Sequence, residues 1–450
     1  MSKTKVYSII YAIQDPSISF YILYSSQKIK TTHMKNSLRI FTVATILVTS
    51  FLSASFGQQF GWRGPGRTGI YNEKGLMKSW PETGPSLLWE VTGIGKGYSS
   101  ATVTDDAIYL TGTRGDKDVL TAFTRDGKKK WDVEYGGITN NINSPESRCT
   151  PTYSNGKILV VSGQGDLACI TKDGKIAWTV NYYQKYSAPV QRFGISESPL
   201  VVDKKVIATP GGNIASVVAF NIDNGKVVWE TAPFNEGTQY TNPLLIEEKG
   251  MKIIVTHTVT YIIGVNAANG KLLWKFDFAN VNKERRGRNF IQTPLYRDGF
   301  LFAANGYGQT AAKIKLSFDG SEPTLVWMNP EINPHVGGMV LIENYIYSST
   351  HDSNSKGRWL CVDWTTGKTM WITDWYNKGS VISADGLLYI YEEKTGNLAL
   401  VRPNSEKLDI ISSFQVTKGE GPYWAHPVID KGRMFVRHGD YMAVYSLKVK

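Results

Sequence analysis

Nine residues hold the chemistry this chain offers: Tyr98, Arg148, Glu197, Asn242, Gln292, His335, Lys378, Trp424 and His426. Six of the nine stand within three residues of a proline, at Pro151, Pro199, Pro243, Pro294 or Pro427. Arg148 and Lys378 are cations, Glu197 is the main carboxylate, and His335 and His426 can take a charge or act as acid–base groups. The set leans cationic and suits an anionic ligand, with Arg148 placed to pair a carboxylate or phosphate through two parallel bonds. No catalytic residue can be assigned, because no Ser/His/Asp order stands out. Six histidines without a close pair give no metal signature. The stretch Gly93-Ile-Gly-Lys-Gly97 is not a phosphate loop, since no helix follows it.

What must position these residues is a repeat. Asp126-Gly-Lys-Lys-Lys-Trp131 returns as Asp173-Gly-Lys-Ile-Ala-Trp178, Asn224-Gly-Lys-Val-Val-Trp229, Asn269-Gly-Lys-Leu-Leu-Trp274 and Thr366-Gly-Lys-Thr-Met-Trp371. Weaker copies end at Trp89 and Trp327. A period near 45 residues in a chain rich in Gly, Trp and Tyr signals propeller blades. The Asx-Gly or Thr-Gly pair supplies a turn, because glycine accepts positive φ. The Trp that follows belongs to packing between blades.

Each period holds three earlier strands, as in Thr150-Pro-Thr-Tyr153, Lys157–Ser162 and Asp166–Ile170. Counting from Tyr98 gives an all-β, eight-bladed propeller of four-stranded antiparallel blades. The seventh set, Gly379 to Val416, lacks the Trp, and Ile410 or Ile411 stands in its place. The last set, Tyr423 to Leu447, has three strands, so Leu87–Val91 is expected to complete it and lock the ring. The recurrent prolines mark the innermost strand of each blade, since proline cannot donate to a ladder and needs a free edge. The polar residues around them then wall an axial channel.

The first 57 residues read as a leader. Met34-Lys-Asn-Ser-Leu-Arg39 is basic, Ile40 to Leu52 is apolar, and Ser55-Phe56-Gly57 offers a cleavage site. Met34 is the expected true start, and the mature chain is expected to be periplasmic or secreted with no membrane span. The net charge of +11 includes +5 from the leader, leaving +6, which is weak evidence for nucleic acid. Lys283-Glu-Arg-Arg-Gly-Arg288 reads as a solvated loop. Cys149, Cys169 and Cys361 are too few and too widely spaced for a disulfide framework and read as buried thiols.

The Asp-Gly-Lys-x-x-Trp repeat resembles the tryptophan-docking repeat of quinoproteins. Trp62-Arg-Gly-Pro-Gly-Arg-Thr-Gly69 looks like the entry motif of exported pyrroloquinoline-quinone-like propeller repeat proteins. So do Gly97-Tyr-Ser-Ser100, Ser196-Glu-Ser-Pro199, Thr209-Pro-Gly-Gly212, His335-Val-Gly-Gly338 and Gly421-Pro-Tyr-Trp-Ala-His-Pro427. The resemblance covers residues 60–447 and implies two alternatives. One is a binding scaffold whose channel mouth holds an anionic small molecule, a glycan or a protein partner, with no nucleic acid and no assigned cofactor. The other is an alcohol dehydrogenase using pyrroloquinoline quinone with Ca²⁺. There Glu197 and Asn242 would offer oxygens and Arg148 would face the quinone. No channel-facing Asp stands out as the base that chemistry needs, and no adjacent cysteine pair is present.

Overall fold

The computed structural model describes residues 59–140, 145–278, 281, 289–318 and 320–449. The expected leader and the basic stretch 283–288 lie outside these residues. Eight four-stranded antiparallel blades follow one another in chain order. They span 102–137, 152–181, 200–230, 244–277, 295–329, 340–373, 379–415 and 428–446, and Leu87–Val91 completes the eighth. That closing strand pairs antiparallel with Tyr441–Ser446, so the eighth blade is completed by a strand from before the first. Among the described residues, the helical elements include a 3₁₀ turn at Pro65–Arg67 and one turn at Tyr182–Tyr186.

Blades are held to each other by the repeat itself. The turn glycines Gly127, Gly174, Gly225, Gly270 and Gly367 all have positive φ. A Cβ on any of them except Gly270 would meet the indole of Trp89, Trp131, Trp178 or Trp327 at 2.5–2.8 Å, and at Gly270 it would meet Trp229 at 2.5 Å. Glycine therefore meets two demands: it makes the turn and leaves the flat seat on which the preceding blade's indole lies. Most of these indoles also reach a main-chain carbonyl of the next blade. Trp131 donates to Lys172 O at 3.0 Å, Trp178 to Ile222 O at 2.9 Å and Trp371 to Asn404 O at 2.8 Å. The Trp89 and Trp274 indole N–H groups reach no such carbonyl, and Trp274 folds over Gly264 of its own blade. The buried clusters follow the same logic and run between blades, as where Tyr109, Val160 and Phe220 share one core.

Blade seven corrects the expectation for its missing Trp. Ser412, not Ile410 or Ile411, occupies the register position beside the strand irregularity. Phe414 takes the glycine seat instead, since a Cβ on Gly84 would meet its ring at 2.5 Å, and Trp80 packs beside it. The Trp80 ring lies 5.5 Å from Phe414 and 5.8 Å from Tyr389, and its backbone N–H donates to the Ser412 hydroxyl.

All five marked prolines immediately precede the innermost strand of their blades. The channel between those strands is not open throughout. Gln59–Phe60 pairs with the inner strand of blade two, and Ile70–Tyr71 pairs in parallel with that of blade seven. Residues 61–69 cross the axis between these anchor points. Arg67 donates to Ser198 O, Pro199 O and Pro243 O at 2.8–3.0 Å. Arg63 donates to Val381 O, Met339 O and Thr68 O. Its guanidinium fits only because Gly69 and Gly338 lack side chains; a Cβ on either would lie 2.2 Å from it.

Arg67→Ala strands three inner carbonyls at the axis and is expected to lower stability by about 3 kcal/mol or more, read from the urea unfolding midpoint. Trp80→Ala is expected to cost about 3–5 kcal/mol, as for a large buried aromatic ring, and the same titration checks it.

Candidate functional site

The crossing segment turns the channel into a blind cup. Trp62 is its floor. The indole N–H donates to the Thr293 hydroxyl at 3.2 Å, and the ring lies 4.6 Å from that of His426. The cup has a volume of about 300 Å³, at the lower end for small-molecule sites, and its described lining contains no Asp or Glu. Hollows on the other side of the segment are lined by Gly64, Gly66 and Arg67, apart from the cup.

The wall is aromatic. The Tyr98 and Trp424 rings are 4.7 Å apart, Trp424 meets His335 at 5.5 Å, and His335 meets Tyr307 at 5.2 Å. Tyr240 and Phe193, 6.0 Å apart, also line the cup. Arg148 lines it too, stacked 5.6 Å over the Tyr98 ring and donating to Glu146 O at 2.8 Å. Burial lowers the pKa of this guanidinium from its ordinary value. Such a cation, partly stripped of water, pairs strongly with a carboxylate.

Of the nine residues marked in the sequence, Tyr98, Arg148, Asn242, His335 and Trp424 line the cup, and Glu197, Gln292, Lys378 and His426 do not. Glu197 is fully buried and accepts from the Thr209 N–H and hydroxyl. Gln292 donates to His335 O. The Lys378 ammonium, with no exposed surface, bonds to Ser353 O at 2.7 Å and to Glu393 at 3.2 Å. His426 sits beneath Trp62 and bridges the crossing segment to blade six. Arg63 donates to its Nδ1 at 2.9 Å, so Nε2 carries the proton and donates to Val336 O at 2.7 Å. Burial and Arg63 push its pKa down to about 3, so it is a neutral brace and not an acid–base group. Inner-strand polarity marks two populations, and strand parity in the sequence could not separate them.

The structure adds a chain the sequence did not mark. Glu393 meets His335 Nδ1 at 3.1 Å, and His335 Nε2 meets the Tyr307 hydroxyl at 3.2 Å. Tyr307 and Glu393 lie outside the proline-flanking positions, in the second-to-third-strand turns of blades five and seven. No repeat signal points to them.

These residues do not fit a quinone over Ca²⁺. Such a site needs several hard oxygens converging on one point. Glu197 faces Thr209 and not the cup, and Asn242 Oδ1 accepts from the Ser198 N–H at 2.5 Å. Among the described residues no three His, Cys, Asp or Glu side chains gather to hold a metal. The cysteines are free and buried.

Burial raises the Glu197 pKa to about 7 against the Thr209 bonds and Arg67. Folded protein therefore keeps this proton up to about pH 7, whereas the unfolded chain releases it near the ordinary value of 4.5. The group's contribution is full below that ordinary value and is lost as pH rises to about 7. Glu197→Gln is expected to match the parent at pH 5 and to exceed it by about 2–3 kcal/mol at pH 8, measured by unfolding at both pH values.

A family model described as outer membrane protein assembly factor BamB matches residues 117–373, more than half of the chain. The outer membrane protein assembly factor BamB of Shewanella oneidensis is 22% identical over 276 residues, 57% of this chain and 64% of that protein. The BamB of Yersinia pestis is 23% identical, over 49% of this chain and 56% of that protein. The chain thus spans between about half and two-thirds of the length of these curated relatives. The crystal structure of BamB from Moraxella catarrhalis superposes with a TM-score of 0.58 at 13% identity, over 80% of this chain and 99% of that one, a likeness of fold alone. Repeat, ring and family match agree, and the chain belongs to the BamB family of pyrroloquinoline-quinone-like β-propellers.

Proposed function

We propose that this chain is an exported binding scaffold that holds an anionic ligand in the blind cup at one face of the ring. The observation that carries the reading is Arg148 in a semi-enclosed aromatic cup whose described lining has no carboxylate. A carboxylate entering the cup would gain a charge-assisted partner. Tyr98, Trp424 and Tyr240 offer faces for the ligand's apolar surface, and Asn242 and His335 edge them with polar groups.

Export to the periplasm or beyond is part of the same proposal. The basic and apolar leader of residues 34–57 supports it, as does the family's description as an outer membrane assembly factor. No helix among the described residues is long and apolar enough to cross a membrane. The name of the relatives also favours a protein partner on the scaffold. The dehydrogenase alternative receives no support from the side chains around the cup.

Isothermal calorimetry with citrate, sulfate, benzoate and galacturonate tests the reading. At least one carboxylate is expected to bind saturably, and Arg148→Gln is expected to weaken it by about 10- to 100-fold, the range for losing a charged hydrogen-bond partner. Absence of binding by every anion, or unchanged binding to the variant, would overturn it.

A further inference from the structure

We infer that the ligand is an acidic saccharide chain, with one carboxylate-bearing sugar ring in the cup and its neighbours in the wider mouth above. This rests on the anion-binding reading just given and names the chemistry of that site.

The cup does not end at its rim. It opens into a second cavity of about 780 Å³, and Phe193, Asn289, Tyr307, His335 and Trp424 line both. The two spaces differ in character. The inner one is walled by aromatic rings around one guanidinium. The outer one is edged by Asn354, Ser355 and Asn377, with Arg192 and Lys394 as cations. Its carboxylate, Glu393, is already paired with Lys378 at 3.2 Å and His335 at 3.1 Å. A lone planar acid would fill the inner space and leave the polar outer space unused. A chain of acidic sugar rings uses both. Each ring has an apolar C–H face that packs on an aromatic ring, and a rim of hydroxyls that both donate and accept, as amide and hydroxyl side chains require. A carboxylate on the innermost ring meets Arg148, and those farther out meet Arg192 and Lys394. The ring walls stand at angles, not in parallel. Tyr98 and Trp424 are tilted by 55°, and His335 and Trp424 by 81°. A puckered ring follows such a surface better than a flat aromatic one.

The test uses calorimetric titration of the full chain with four probes: a trisaccharide of galacturonic acid, its methyl ester, benzoate and triglutamate. The free trisaccharide is expected to bind at least tenfold more tightly than the other three. Arg148→Gln is expected to remove most of that difference, and Trp424→Ala to weaken the trisaccharide more than benzoate. Equal binding of the methyl ester overturns the carboxylate assignment. Benzoate or triglutamate binding as tightly as the trisaccharide overturns the saccharide while leaving an anion-binding cup in place. No binding of the trisaccharide overturns the saccharide, and the anion-binding reading falls with it only if citrate, sulfate, benzoate and galacturonate fail as well. The comparison among ligands is made on the unsubstituted chain, so it stands even if a variant folds poorly.

Discussion

Eight inner strands turn one edge toward a common axis, and each edge presents main-chain groups without a ladder partner. An unpaired buried carbonyl is costly, so a propeller must satisfy its own centre. Here the peptide of residues 59–71 does so. Arg67 binds carbonyls from blades three and four, and Arg63 binds those from blades six and seven and braces His426 of blade eight. Trp62 reaches blade five, and Gln59–Phe60 extends blade two. Two guanidinium groups, each with a planar fan of donors, suit a ring of converging acceptors better than any other side chain. Burial lowers the pKa of both to about 10, yet they stay charged at neutral pH. Every other feature of the axis depends on this hub.

The hub also decides what the inner strands can do. On its far side the space is broken into hollows beside glycine backbone. On its near side it leaves one cup with Trp62 as the floor. The polar residues beside the prolines divide accordingly. Those at the level of the hub, such as His426 and Glu197, are consumed by packing. Those above it, such as Arg148 and Tyr98, line the cup. A polar inner strand thus contributes both structure and site, and the axial level of a residue decides which.

Family membership and geometry weigh in the same direction. The fold could host quinone chemistry, but folds do not carry function; sites do. This site offers one buried cation, stacked rings and a carboxylate–histidine–tyrosine chain, and no convergence of hard oxygens. Binding is the use these groups support.

The amino-acid pattern alone determined the ring. A turn glycine and a Trp at a period of about 45 residues leave little else for the chain to form, because each unit buries its apolar face only against the next. The closing strand Leu87–Val91 and the inner-strand prolines were legible for the same local reasons. Tertiary structure alone decided the cup. Trp62, Arg63 and Arg67 sit far in sequence from the blades they touch, so nothing local shows that they cross the axis. Tyr307 and Glu393 meet His335 only because three blades converge there. Trp80 packs onto blade seven from more than 300 residues away, as its bond to Ser412 shows. Periodicity encodes neighbours along the chain; closure of the ring creates the rest.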